Sequence, residues 1–255
     1  MSDWLVLLLG LLAACLVVVA VVLIRRRRPD DDQDTSETPD VIEYMTMMIG
    51  VVYAIVLGLA IAGVWEERNA ADATVTQEAQ ALHEVHERVR TYPAAERERV
   101  REDIDTYVRY AVKTEWPHMV EHGELTARGD RMLGQLREDV TDYEPKTMQQ
   151  AQSYQAVVDQ VAEADSARNA RGDSAEPTMP GVVWIGLYAG AIVSVGMLFA
   201  LQIQRSGREL VLAGIFSALI AFLLFLVWHF DAPFARGLEE PTQAFTSLFP
   251  HATGS

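Results

Sequence analysis

Four long apolar stretches, from about Trp4 to Ile24, Val41 to Val64, Val182 to Ile203 and Leu210 to Phe230, constrain this chain more than any other feature. Each supplies the roughly 20 apolar residues that a helix rising 1.5 Å per residue needs to cross a hydrocarbon layer about 30 Å thick. None carries a charged residue near its middle. The stretches fall into two pairs around an insert, residues 66–180, in which acidic side chains outnumber basic ones. The pattern predicts an all-α integral membrane protein. Four transmembrane helices (1–24, 41–65, 181–203 and 210–230) form a 2+2 arrangement around a helical extramembrane bundle.

The first stretch is not built like a signal peptide. Met1, Ser2 and Asp3 precede it and Arg25 to Arg28 follow it, the reverse of the secretory order. It reads as a retained helix whose amino terminus lies outside. The positive-inside rule then puts Arg25 to Arg28 in the cytoplasm. Arg205 and Arg208, in the short link 204–209, give the same orientation. Both termini and the insert are therefore expected on the extracytoplasmic side of a bacterial plasma membrane. Residues 25–40 begin basic and end acidic and apolar-free, a linker composition.

A formal charge of -15 argues against nucleic acid, whose phosphates would be repelled. The single cysteine, Cys15, lies within the first stretch, so no intrachain disulfide can form. The partners expected are the bilayer, ions and further copies of the chain in a homo-oligomer.

The insert carries helical periodicity. Val75, Ala79, Leu82, His86 and Val89 keep one face of a helix that continues the second stretch without a proline before Pro93. A second segment opens at Pro93 and repeats the spacing at Val100, Ile104, Tyr107 and Ala111, with an end expected at Trp116-Pro117. A third is expected over about 124–141, with Leu125, Met132, Leu136 and Val140. A fourth follows Pro145, with Met148, Ala151, Tyr154, Val158 and Val161. Residues 231–255 close the chain; there, Phe245, Leu248 and Phe249 suit a short helix lying along headgroups.

Helices in lipid gain little from apolar burial against one another, so small residues that admit close backbones mark the seams. Gly50, Ala54, Gly58 and Ala62 on the second stretch are such candidates, as are Gly186, Gly190 and Ser194 on the third. A separate row on the second stretch carries Thr46, Tyr53, Ala60 and Glu67, with Glu43 near its inner end and Glu66 near its outer end. In an oligomer these six residues would line a pore, and rings of carboxylates favour cations. The alternative is that the three glutamates mark where the helix meets water and that Tyr53 packs internally.

Catalytic chemistry is not visible. There is no Gly-rich phosphate loop, nucleophile elbow or dinucleotide-binding pattern, so no enzyme and no cofactor are expected. No ionisable side chain stands near the centre of any apolar stretch, as proton-coupled transport would require. His83 with His86, and His118 with His122, have spacings that place two imidazoles on one helix face. A solvated helix face explains both pairs more simply, and no metal is assigned. Likewise the Glu115-Trp116 pair reads as a structural corner rather than an acid beside an apolar ring.

Several short strings, taken in order, resemble the bacterial bestrophin-like family, long catalogued only as a domain of unknown function. They are Val64-Trp65-Glu66, then Glu78-Ala79 with Leu82, Tyr92-Pro93, Tyr107 and Glu115-Trp116-Pro117. Asp231, Pro233, Phe234 and Gly237 come after the last apolar stretch. The resemblance runs from the second stretch to the carboxyl end. It implies kinship with bestrophins, oligomeric anion channels with four membrane helices per subunit and a pore lined by the second. The aromatic cluster of a bestrophin neck is missing here, where Tyr53 is the one aromatic between Val51 and Val64. Acidic helix ends and an acidic insert suit cations better than anions. The reading is an oligomeric, cation-preferring ion channel with an acidic outer vestibule. The alternative is a membrane scaffold or sensor that binds a partner through the outer bundle.

Overall fold

The computed structural model describes residues 40–200, 207–237 and 242–254. The first apolar stretch, the arginine run and nearly all of the acidic linker lie outside the described residues. Every regular element among the described residues is helical. Helix α1 spans Asp40–Arg88 and ends in a tight turn at Val89–Thr91. Then come α2 (Ala94–Tyr110), a π-helical turn (Ala111–Glu115), α3 (Trp116–His122), α4 (Ala127–Thr141) and α5 (Met148–Asp173). Helices α6 (Gly181–Ala200) and α7 (Gly207–Phe230) are apolar. A second π turn (Pro233–Gly237) and the short α8 (Gln243–Leu248) and α9 (Pro250–Thr253) close the chain.

The described residues divide into two compact units. One comprises α1 up to Glu66 with Met179–Asp231; the other comprises Glu67–Thr178 with the chain from Ala232 onward. By length and composition, α1 from Tyr44 and α7 from Val211 can each cross a membrane, and Gly181–Met197 is a shorter apolar helix.

In the first unit, Tyr53, Leu57 and Val64 of α1 meet Leu187 and Ala191 of α6 and Ile220 and Val227 of α7. Trp65 stands edge-on to Phe230, ring centres 5.1 Å apart. Much of α1 is left uncovered by its own chain: Met48, Val52, Ile55 and Leu59 are each more than half exposed.

The second unit has a larger core, drawn from α1, α2, α3, α4 and α5. Its helices start where the backbone finds side-chain partners. Thr126 accepts a hydrogen bond from Gly129 N at 3.2 Å, and Thr147 accepts one from Gln150 N at 3.2 Å, so each caps its helix. Buried Leu82, Ile104, Leu133 and Leu136 each contribute about 1.5–3 kcal/mol through removal of apolar surface from water.

Three sequence expectations shift here. Val85 rather than His86 completes the α1 stripe, and Val157 rather than Val158 faces inward on α5. Helical winding does not stop at Trp116-Pro117. It passes through the π turn, where Trp116 N–H bonds to Ala111 O, and ends at Gly123, whose φ of 75° no other residue type adopts as easily. An i→i+5 turn loosens the spiral ahead of Pro117, which has no N–H to give and would crowd a regular helix. The carboxyl-terminal aromatics, expected along headgroups, belong to this core: Phe245, Phe249 and Ala252 are buried, and Phe234 stands edge-on to Trp116 at 5.2 Å.

Candidate functional site

The predicted pore row on α1 does not share one environment. Tyr53 is buried, and its hydroxyl donates to Leu187 O at 3.0 Å. Ala60 is half-buried against the same apolar cluster, and Thr46 is half-buried. Glu66 and Glu67 are exposed, and Glu43 lies within α1 with its side chain outside the described residues. Tyr53 thus takes the packing position weighed for it, and the row splits between an inward-facing middle and a solvated outer end.

The predicted seams also divide. A β-carbon on Gly190 would lie 2.5 Å from Tyr53 Cε2, so this glycine lets α6 close onto the tyrosine ring. Ser194, one turn on, is buried with no hydrogen-bond partner for its hydroxyl. A β-carbon on Gly50, Gly58 or Gly186 would meet nothing within 4 Å, and Ala54 and Ala62 are exposed. The small-residue row on α1 therefore faces away from its own chain.

At the end of α7, Asp231 is buried and gathers the chain that leads into α6. Its carboxylate accepts from Met179 N at 2.8 Å and from the Trp184 indole N–H at 3.2 Å.

The densest chemistry lies in the second unit, where four charged side chains are almost completely buried: Glu78, Glu115, Arg168 and Arg171. Arg171 forks onto Glu78, with Nε 2.7 Å from Oε2 and Nη2 3.2 Å from Oε1. Its Nη2 also reaches Glu115 Oε2 at 3.0 Å, and Nη1 points at Met119 Sδ at 3.5 Å. Arg168 takes the other side of Glu115, Nη2 to Oε1 at 2.6 Å, and binds Thr126 O at 3.0 Å and Asp130. Tyr107 donates to Glu78, and Thr126 donates to Glu115 from both its hydroxyl, at 2.8 Å, and its N–H, at 3.2 Å. The Arg171 guanidinium lies 5.4 Å from the centre of the Trp116 ring.

Two carboxylates and two guanidinium groups balance in the buried part, and every element around them supplies a partner. Burial pushes the Glu115 carboxyl up. Hydrogen bonding from Arg168, with the charges of Arg171 and Arg168, outweighs that and holds it below the ordinary range. Burial, followed by the Glu78 charge, drives Tyr107 well above its ordinary value, so it stays a donor. Such a cluster has no free nucleophile or open acceptor; what it does is lock five segments in register. Gly129 is required for it, since a β-carbon there would sit 3.0 Å from Glu115 Cδ and closer still to Glu115 Oε1 and Arg168 Nη2.

Sequence reasoning quoted Glu78, Tyr107 and Glu115 but passed over Arg168 and Arg171. The signal was present in the spacing. Val157, Val161, Ala164, Arg168 and Arg171 follow steps of 4, 3, 4 and 3, so both arginines sit in the apolar stripe of α5. Glu78 sits the same way between Val75 and Leu82.

Of the histidines, His83 and His86 lie edge-on to Phe249, and His118 and His122 stack at 4.2 Å. No three His, Cys, Asp or Glu side chains among the described residues form a ready-made metal cage.

An all-α chain with membrane-crossing helices in one unit and a charge-locked helical bundle in the other defines a class of membrane protein. Known proteins with this architecture specify it further. The Bestrophin-like domain family matches residues 11–239, and the chain belongs to that family. Among solved structures, two point variants of a bacterial bestrophin homologue from Klebsiella pneumoniae share the fold. Their TM-scores are 0.65 and 0.67, with 14% and 13% identity and 100% of both chains covered. No curated protein matches the sequence significantly.

Proposed function

We propose that this chain is one subunit of a homo-oligomeric ion channel of the bacterial plasma membrane. Its four membrane helices are arranged in two pairs, and α1 is the main pore-lining element. The observation that carries the reading is the apolar surface of α1 that its own chain leaves uncovered, including Gly50, Ala54, Gly58 and Ala62. A row of small residues facing away from its own chain suits contact with a neighbouring copy. Membership in a family whose homologues are ion channels supports the same reading. Residues 66–180 and both termini stand outside the membrane, where the acidic bundle forms a vestibule. Glu66 and Glu67, exposed on α1, tilt selectivity toward cations, with Glu43 at the inner end.

The test is flux through liposomes holding the purified full-length protein, with its assembly state measured in the same preparation. The expected result is cation flux from an assembled oligomer, with a smaller cation-to-anion ratio in Glu67→Gln. Sealed liposomes containing a correctly assembled oligomer would overturn the channel reading and leave a scaffold or sensor acting through the outer bundle.

A further inference from the structure

The solvated face of α3 offers something the channel reading does not use. His118 and His122 lie four residues apart, one turn of helix, and their rings stack with centres 4.2 Å apart and planes 19° apart. His122 Nδ1 lies 3.1 Å from His118 O, the carbonyl one turn back. Donation there places the ring proton on Nδ1 and leaves the Nε2 lone pair outward. A hydrogen bond from the second nitrogen to a backbone carbonyl is the arrangement that orients imidazole ligands.

The chain then brings in an oxygen. Gly123, with its positive φ, turns the backbone so that Glu124 Oε1 comes to 3.9 Å from His118 Nε2. That gap is too long for a hydrogen bond. It is close to the separation of about 3.4 Å that a tetrahedral zinc ion imposes on a nitrogen and an oxygen bonded at about 2.0–2.1 Å. Closing it needs only rotation of an exposed glutamate side chain. A second acidic side chain stands nearby, for Glu176 Cγ is 3.4 Å from where a β-carbon on Gly123 would be.

We propose that His118, His122 and Glu124 form a binding site for a divalent transition metal of the zinc type, on the outer face of the second unit. Two imidazoles and one carboxylate match the nitrogen and oxygen preference of that ion, and water or Glu176 completes four-coordination. The ion draws Glu124 in on binding, which is why the three ligands do not stand preassembled. The other histidine pair makes a natural control. His83 and His86 are 6.4 Å apart, and their Nδ1 atoms are turned into the protein beneath Phe249.

The experiment is titration of tag-free, full-length protein in detergent with Zn2+ by calorimetry, followed by Co2+ substitution to read coordination from its visible absorption. One Zn2+ per chain is expected, with tetrahedral Co2+ bands. His118→Ala or His122→Ala weakens binding roughly tenfold or more. Glu124→Gln weakens it less, and His83→Ala leaves it unchanged. The α3 histidines are solvent-facing, so unaltered circular dichroism will show that the variants remain folded. Zn2+ binding that survives both α3 histidine substitutions, or no binding at millimolar Zn2+, overturns the site.

Discussion

Arg171 on α5 holds Glu78 on α1 through two hydrogen bonds, 2.7 Å and 3.2 Å, across 93 residues of sequence, and neither side chain touches water. Two buried charges satisfied this fully are far more costly to separate than to replace together. Arg171→Met strands Glu78 and half of Glu115. It should destabilise the second unit by about 3–5 kcal/mol. Denaturant titration of the purified chain measures this, and the double variant Glu78→Leu/Arg171→Met should lose less than the two single losses combined.

Gly129→Ala tests the same cluster by volume rather than charge. The added methyl group meets Glu115 and Arg168, both pinned by other partners, so neither can swing aside without breaking its bonds. A loss of about 1–3 kcal/mol is expected, within the range for overpacking a tight interior. A Gly134→Ala control faces open space and should be neutral or slightly stabilising.

In the membrane unit, Tyr53 and Gly190 form the tightest contact between α1 and α6. Tyr53→Phe removes one hydrogen bond to Leu187 O and should cost about 0.5–1.5 kcal/mol. Gly190→Val pushes into the ring and should disturb helix packing far more, read as loss of monodisperse protein in detergent. Gly58→Val leaves this intrachain seam intact. If it disrupts assembly all the same, α1 contacts another copy there.

The outer bundle carries an acid pair between α2 and α4. Asp103 Oδ2 is buried without a donor and faces Asp139, so one proton between them supplies the missing bond. Burial, then hydrogen bonding and charge from Asp139, pushes Asp103 up to about 7 from 3.8. Burial would also raise Asp139, but Gln135, Asp103 and Arg99 together hold it low. Between 3.8 and about 7 the folded chain holds a proton that the unfolded chain has lost, so stability falls as pH rises through that window. Asp103→Asn should flatten this fall in thermal melts and be the more stable form at pH 8.

Much of this structure was legible in the sequence because apolar period and helix period agree. The 4,3 spacings place α1, α2, α4 and α5 within a few residues of where they lie. The errors share one cause, which is that a single chain does not state which of two adjacent residues faces inward. Val85 and His86 compete for one position, and the longer side chain is half-buried beside Phe249. Arg168 and Arg171 escaped notice because charge was read as exposure, although their spacing continues an apolar stripe. Tyr53 shared its sevenfold spacing with Thr46, Ala60 and Glu67. Only the ring pocket at Gly190 shows which neighbour it serves.

The π turn at Ala111–Glu115 has a consequence for how this family can change length. An i→i+5 turn holds one residue more than the regular spiral, and that surplus lets the adjacent Glu115 and Trp116 both point inward. Deleting any one residue between Ala111 and Glu115 would restore ordinary winding and turn the rest of the helix by about 100°. Trp116, Met119 and the two α3 histidines would all change faces at once. The turn behaves like a reading frame, in which substitutions are tolerated singly and a one-residue slip scrambles every downstream face.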